Sequence, residues 1–356
     1  MTTTTTPNDL VHYLIERGLL SPASVVDGEV MVVEGTRRNS NFAVTRKDGP
    51  QYFVKCVQPA SAGSAETLQR EVNFYQWATM HPALGGLREL MPRFFHSDPQ
   101  RGMLVIELFP NAQNITDYHR STRAFPEDVA RLIGRALARY HASTASALGT
   151  LDRSVFPGQP PWVLSLHYSS SQFGQAGAQV ATILQSYPDY GRALDLLRAQ
   201  WMPNALIHGD MKFDNCLVVA RPDGGAELKV VDWELADIGE DTWDAGAVLQ
   251  SYVTTCVLSS PGTMSVDLNP VKPPMRAFWD EYTKALPIPE AQADARLERC
   301  VAYAGARMLQ TALETLHFAP SMSAHVALVL QISLNILRDP RAAVREIVGI
   351  EPRVYA

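Results

Sequence analysis

The chain has 356 residues, 46% hydrophobic and 19% charged, with a net charge of -6; this is enough material for two lobes and gives no general attraction for nucleic acid or anionic lipid. Its four cysteines, Cys56, Cys216, Cys256 and Cys300, are too scattered for a zinc-ligand pair or a disulfide framework and read as reduced thiols. No apolar run reaches membrane-spanning length, so a soluble cytoplasmic protein without membrane or nucleic-acid partners is expected.

In chain order, the threonine run Thr2 to Thr6 reads as a frayed start. Residues 28–57 favour strands: Val30-Met31-Val32-Val33, Asn41-Phe42-Ala43-Val44 and Gln51-Tyr52-Phe53-Val54-Lys55, the last two separated by the turn-forming Lys47-Asp48-Gly49-Pro50. An antiparallel meander is predicted. Residues 65–80 place Leu68, Val72 and Tyr75 at helical spacing. Arg93-Phe94-Phe95-His96 and the run from Gly102 to Glu107 predict two further strands, giving a small sheet with one helix. From Pro126-Glu127-Asp128 onward the pattern turns helical, with Val129, Leu132, Ile133, Ala136, Leu137 and Tyr140 on one face. Residues 146–201 hold a Pro- and Ser-rich loop and a predicted helix over 190–200. Past Asp244 the chain is almost wholly helical, with a proline-containing break over 259–274. The expected architecture is α+β and bilobal, with a small sheet lobe over 1–109 and a larger, mainly helical lobe over 110–356.

The chemistry is concentrated in His208-Gly209-Asp210-Met211-Lys212-Phe213-Asp214-Asn215, which follows the apolar Ala205-Leu206-Ile207 and precedes Cys216-Leu217-Val218-Val219. After the turn Pro222-Asp223-Gly224-Gly225, the strand Glu227-Leu228-Lys229-Val230-Val231 delivers Asp232-Trp233-Glu234. Two carboxylates and an amide are thereby set to converge. Phosphoryl transfer needs a group that orients and deprotonates the attacking hydroxyl, and ligands for the magnesium that neutralises a triphosphate. Asp210, Asn215 and Asp232 are of the types that meet those needs.

An Asp, an Asn five positions later and an Asp on the next hairpin is the arrangement of protein-kinase-like catalytic loops. Residues 208–215 and 231–234 resemble the signature of the aminoglycoside phosphotransferase and choline kinase-like family, in which His-Gly-Asp stands in place of the His-Arg-Asp of protein kinases. The resemblance implies a protein-kinase-like fold, ATP and Mg2+ as cofactors, Asp210 as the catalytic base, Asn215 and Asp232 as metal ligands, and Glu234 as a support to the metal site. Lys212, two positions after the catalytic aspartate, resembles Ser/Thr protein kinases, where it contacts the moving phosphoryl group and stabilises its charge. Upstream, Lys55 ends a strand and Glu71 lies on the following helix; such a pair lets the lysine grip the α- and β-phosphates while the glutamate holds it. The turn over residues 35–42 has only Gly35 for close backbone approach, so Arg38, Asn39 and Ser40 are candidate phosphate contacts. Glu107 and Phe109 sit where this family's lobe connector offers main-chain groups to adenine. His141 and Asp244 match architectural positions, Asp244 bracing the catalytic loop.

The acceptor is less legible. A polycationic acceptor calls for a carboxylate-rich site, whereas residues 252–356 carry ten acidic and ten basic residues. Arg17-Gly18-Leu19-Leu20, Val25-Val26-Asp27-Gly28, Thr36-Arg37-Arg38-Asn39 and residues 67–75 resemble the kinase-like proteins of class V lanthipeptide and thioamitide biosynthesis. That resemblance implies phosphorylation of Ser or Thr in a precursor peptide, with a separate lyase as partner eliminating the phosphate. A small-molecule hydroxyl kinase is the second expectation, and a pseudokinase scaffold for a partner enzyme the third.

Overall fold

The structure is a computed structural model that describes residues 5–36, 40–57, 62–165, 174–221, 223–260, 265–286, 288–317, 319 and 321–351. In chain order the first elements are α1 (Pro7–Glu16), α2 (Pro22–Val26), β1 (Val30–Thr36), β2 (Ser40–Arg46), β3 (Tyr52–Cys56), α3 (Ala62–Met80), α4 (Gly85–Leu90), β4 (Phe94–Asp98) and β5 (Met103–Glu107). Then come β6 (Gln113–Asn114), α5 (Ile115–Thr122), α6 (Glu127–Ala145), α7 (Gly174–Ser186), α8 (Pro188–Ala199), β7 (Ala205–Ile207), β8 (Cys216–Ala220), β9 (Ala226–Val230) and β10 (Asp237–Gly239). The remainder is helical: α9 (Asp241–Ser259), α10 (Lys272–Ala285), α11 (Glu290–Leu316), α12 (Ala324–Arg338) and α13 (Pro340–Ala343). The chain divides into two units, residues 1–113 with 217–236, and residues 114–216 with 237–356.

The first unit is built on a five-stranded antiparallel sheet in the order β1-β2-β3-β5-β4. Alternation decides its faces. Phe42 and Val44 on β2, Tyr52 and Val54 on β3 and Val105 on β5 point to one side and form a core with Leu10, Tyr13 and Leu14 of α1. Lys55 falls between the buried Val54 and Cys56 and so projects from the opposite face, where Leu104 is its partner in the register of β3 and β5. Leu68, Val72 and Tyr75 of α3 are all buried, as their spacing predicts.

Among the described residues, α3 is not this unit's only helix. The sequence reading passed over α1, α2 and α4 because each is short, and short apolar patterns are ambiguous. The start of α1 also corrects one expectation. Thr6 is a cap: its side chain accepts from the Asp9 N–H while the Asp9 carboxylate accepts from the Thr6 N–H at 3.0 Å, a reciprocal pair that satisfies two orphan donors. Residues 1–4 lie outside the described residues. The hairpin of β8 and β9 belongs to this unit, and Asp232 follows it in a left-handed conformation with φ of 71°.

The second unit is mainly helical, with β7 and β10 as a short antiparallel pair. Its helices approach closely at glycines. A Cβ on Gly134 of α6 would lie 2.5 Å from the Phe278 carbonyl oxygen of α10, and one on Gly246 of α9 would lie 2.5 Å from the Cys300 carbonyl oxygen of α11. On α12, Ser333 donates to the Gly305 carbonyl of α11 at 2.6 Å and meets the Tyr190 hydroxyl of α8. The proline-containing break is shorter than expected, since Pro273 and Pro274 sit in the first turn of α10, where backbone N–H groups have no intrahelical partner to lose.

All four cysteines are free and buried, and burial pushes every thiol upward, that of Cys56 to about 12. Among the described residues no helix is long and apolar enough to cross a membrane.

Backbone contact at Gly134 and Gly246 makes a direct prediction. Gly134→Ala and Gly246→Ala should each destabilise the chain by about 1–3 kcal/mol through overpacking, read as a lower midpoint in urea unfolding, whereas Gly149→Ala, whose added Cβ meets nothing within 4 Å, should change little.

Candidate active site

Within the first unit, the site begins with a buried ion pair. Lys55 Nζ lies 2.9 Å from Glu71 Oε1 and 2.7 Å from Oε2, and it also donates to Asp232 Oδ1 at 2.5 Å. Glu71 is fully buried and accepts from the Trp233 N–H at 3.3 Å. Burial would lower the Lys55 pKa, but the Glu71 and Asp232 carboxylates outweigh it and raise the ammonium above its ordinary value. Burial raises Glu71, with Lys55 pulling the other way. Phe74 of α3 stacks on Trp233 with ring centroids 4.9 Å apart, which fixes the turn carrying Asp232 against the helix carrying Glu71.

Glu71, Asp232 and Glu234 can each offer one carboxylate oxygen, all within 4.8 Å of one another. Hard oxygen donors at this spacing fit a small divalent cation such as magnesium. The sequence paired Lys55 with Glu71 and gave Glu234 a supporting place; the contact of Lys55 with Asp232, across 177 positions of chain, has no local signature.

The connector after β5 is held by its backbone. The Glu107 N–H donates to the Arg93 carbonyl at 2.9 Å, the Leu108 N–H to the Gln51 carbonyl at 3.0 Å, and the Phe109 carbonyl accepts from the Ala112 N–H at 3.1 Å. The Glu107 side chain accepts from the Arg93 N–H and lines a cavity of about 250 Å³ with Tyr75, Phe94 and Lys229. Of the expected phosphate-contacting turn, Arg38 and Asn39 lie outside the described residues, and Ser40 is described only as a backbone position of β2, paired in register with Thr36 and Cys56.

Within the second unit, the segment 208–215 is a turn braced from below. Asp244, fully buried at the start of α9, accepts from the His208 N–H at 2.7 Å and from the Gly209 N–H at 3.1 Å. His141 of α6 approaches the same carboxylate with Nε2 at 3.4 Å and meets the Tyr282 hydroxyl with Nδ1 at 2.9 Å, the placement of a hydrogen-bonded core histidine. Gly209 has φ of 81°, a conformation that favours glycine, and its carbonyl accepts from Trp243 Nε1 at 3.0 Å. Phe213 anchors the far end of the turn, edge-on to Tyr252 at 4.7 Å and beside His119 at 5.3 Å.

These contacts present Asp210. The Asn215 Nδ2 donates to the Asp210 carbonyl at 2.9 Å and to Oδ2 at 3.1 Å, Lys212 Nζ lies 2.7 Å from Oδ2, and Arg307 Nη2 donates to Oδ1 at 2.6 Å. Burial would raise the Asp210 pKa, yet Arg307 and then Lys212 hold it down to about 2. Burial likewise opposes the charge on Lys212, which Asp210 and, further along α11, Glu314 sustain above its ordinary value. The carboxylate is an anion at neutral pH, with three donors fixing its orientation.

Arg307 was missed by sequence reasoning. It is completely buried, in a stretch of α11 otherwise made of small and apolar residues, Gly305, Ala306, Met308 and Leu309. An arginine in such a run signals a buried carboxylate partner. The sequence does not say which one.

Comparison with solved structures bears on the fold. Among the solved structures that the chain matches over more than nine-tenths of its length are three kinases. A Plasmodium vivax ethanolamine kinase shares 12% identity at a TM-score of 0.63, covering 95% of this chain and 92% of the other. Choline kinase LicA from Streptococcus pneumoniae shares 15% at 0.54, covering 93% and 98%. An amicoumacin kinase in complex with AMP-PNP, Ca2+ and Ami shares 13% at 0.54, covering 94% and 96%. At identities this low the structural likeness shows the kinase-like fold alone. No curated protein matches the sequence. A family model described as the phosphotransferase enzyme family matches residues 29–258, which include Lys55, Glu71, Asp210, Asn215 and Asp232, and the chain therefore belongs to that family of phosphotransferases.

Proposed function

We propose that this phosphotransferase moves the γ-phosphoryl group of ATP to a hydroxyl, with a Ser or Thr of a biosynthetic precursor peptide as the favoured acceptor. The observation that carries the chemistry is the Asp210 carboxylate, buried, anionic and oriented by Asn215, Lys212 and Arg307. In the proposed reaction the acceptor oxygen attacks the γ-phosphorus, the bond from that phosphorus to the β-phosphate bridging oxygen breaks, ADP leaves, and the hydroxyl proton passes to Asp210. Lys212 donates to the equatorial oxygens of the transferring group, where charge is spread in the transition state.

Nucleotide handling falls to the first unit in this reading. Lys55, held by Glu71, contacts the α- and β-phosphates; Glu107 and Phe109 offer main-chain groups to adenine; and Arg38, Asn39 and Ser40 contact phosphate from the turn between β1 and β2. Magnesium is assigned to Asp232 with support from Glu234, and Asn215 contributes its amide oxygen as the family resemblance implies. When bound, the ion supplies neutralisation of phosphate charge.

Support for a peptide acceptor comes from the resemblance to the lanthipeptide and thioamitide kinases and from the balanced charge of residues 252–356. A lyase would then act on the phosphorylated product, and the reaction would take place in the cytoplasm. The second reading, a small-molecule hydroxyl, is favoured by the acceptors of the fold neighbours, choline and ethanolamine kinases among them.

Incubation with Mg-ATP followed by mass spectrometry separates the two: the favoured reading expects a gain of phosphate on Ser or Thr of a precursor peptide, and phosphate gained only by small alcohols rejects it. Asp210→Asn should lower kcat by a factor on the order of 100–10,000, the usual size of general-base effects, with the KM for ATP little changed. Product formation by the whole biosynthetic pathway left unchanged by that variant, with no phosphate transfer by the isolated chain, would make the chain a binding scaffold. Lys55→Met should act differently, raising the KM for ATP at least tenfold while Glu71, left buried without its cation, also lowers the unfolding midpoint.

A further inference from the structure

Arg307 places a second cation on the Asp210 carboxylate, and that charge is more than the carboxylate needs. An aspartate is anionic at neutral pH with one good partner, and Lys212 and Asn215 already serve Oδ2. Arg307 adds Nη2 on Oδ1 from α11, with its guanidinium carbon 5.6 Å from the centroid of the Trp243 ring. Among the described residues nothing accepts a hydrogen bond from its Nε or Nη1, although both atoms are buried, and the buried Oε1 of Gln310, one turn further along α11, is likewise without a donor. Unspent polar groups of this kind are costly unless a ligand or a water bound with it completes them. On α11 the carboxylate that acts on Lys212 is Glu314, which is exposed and accepts from Gln310 Nε2 at 2.8 Å. Asp210, Lys212 and Arg307 by themselves carry one net positive charge, which Glu314 offsets in part from its exposed position beside Lys212.

Reaction geometry turns this into selectivity. An acceptor hydroxyl must come within about 3 Å of an Asp210 oxygen. Whatever group sits one or two carbons from that hydroxyl then lies on the order of 5 Å from the guanidinium and ammonium groups. At that distance, with the screening usual inside proteins, one net like charge disfavours binding tenfold or more. A carbonyl or carboxylate oxygen at the same place is a hydrogen-bond acceptor for the unspent guanidinium donors, directly or through one water.

We propose that Arg307 makes this site select a hydroxyl flanked by an uncharged or anionic oxygen group, as in a seryl or threonyl amide or a hydroxy acid, and reject amino alcohols and other ammonium-bearing acceptors. This rests on Asp210 acting as the base, and it departs from the cationic acceptors named for the choline and ethanolamine kinases of the same fold. Arg307 is a selectivity residue in this account, since it acts from beside the base.

The test compares kcat/KM of the protein with Mg-ATP and four acceptors, N-acetylserinamide, glycerate, ethanolamine and choline, by ADP release and product mass. Wild type should favour the first two by at least tenfold. Arg307→Met should shrink that ratio at least fivefold, and Arg307→Lys, which keeps the charge, should preserve most of it. A merely structural arginine would lower all four rates together and leave the ratio alone, which overturns the proposal. Choline or ethanolamine used as well as the neutral acceptors by wild type overturns it too, without any variant having to fold. If Asp210→Asn abolishes that choline turnover, the selectivity fails while the base assignment stands; if Asp210→Asn turns over at the wild-type rate, the base assignment itself has failed.

Discussion

A carboxylate withdrawn from water survives as an anion only where hydrogen-bond donors and cations surround it, and the organisation of both units follows from that constraint. Glu71, Asp210 and Asp244 are each at least nine-tenths buried. Each draws at least one donor from an element distant in sequence: Glu71 from the Trp233 backbone besides Lys55, Asp244 from the backbone of His208 and Gly209, and Asp210 from Arg307 besides its neighbours Lys212 and Asn215. Strand β3, helix α3 and the turn after β9 are tied together by the first set, and α9, α11 and the segment after β7 by the other two. The anions therefore act as fixed points about which the elements are arranged.

Backbone conformation does complementary work. Gly209 adopts its positive φ so that its N–H and that of His208 can both reach Asp244, while its carbonyl turns to Trp243. Asp232 holds a left-handed conformation without being glycine. Such a residue carries a cost of roughly 1–2 kcal/mol, and the contacts that over-determine it are at hand: Lys55 on its carboxylate, and the neighbouring Trp233, whose N–H goes to Glu71 and whose ring stacks on Phe74. That cost falls on the residue that delivers a carboxylate into the cluster with Glu71 and Glu234.

Local pattern was a good guide wherever a property repeats along the chain. Short apolar and aromatic runs bounded by turn residues marked β2, β3 and β5, helical spacing marked α3 and α6, and the cluster of turn residues at 222–225 marked the hairpin of β8 and β9. Short elements escaped it. Helices α1, α2 and α4 offer too few turns for periodicity to register, and their starts depend on caps such as Thr6 and Ser21 instead. Helix α7 escaped as well, although its buried Val180 and Leu184 stand at i and i+4, because it follows a segment that reads as loop.

For the site, the sequence by itself determined the chemical types and their order: the lysine, the glutamate, the His-Gly-Asp segment with Asn215, and the aspartate after the next strand. It could do so because those residues are spaced by short, regular elements whose geometry is local. Only the tertiary structure decided which charges meet. In the first unit the pairing of Lys55 with Asp232 depends on how β3 and the turn after β9 meet the buried Glu71; in the second, the bracing of the loop by Asp244 with His141 behind it, and above all the placement of Arg307 on Asp210 across 97 positions of chain, depend on how helices pack at Gly134 and Gly246. Electrostatic partnership acts through space, and sequence separation carries no record of it.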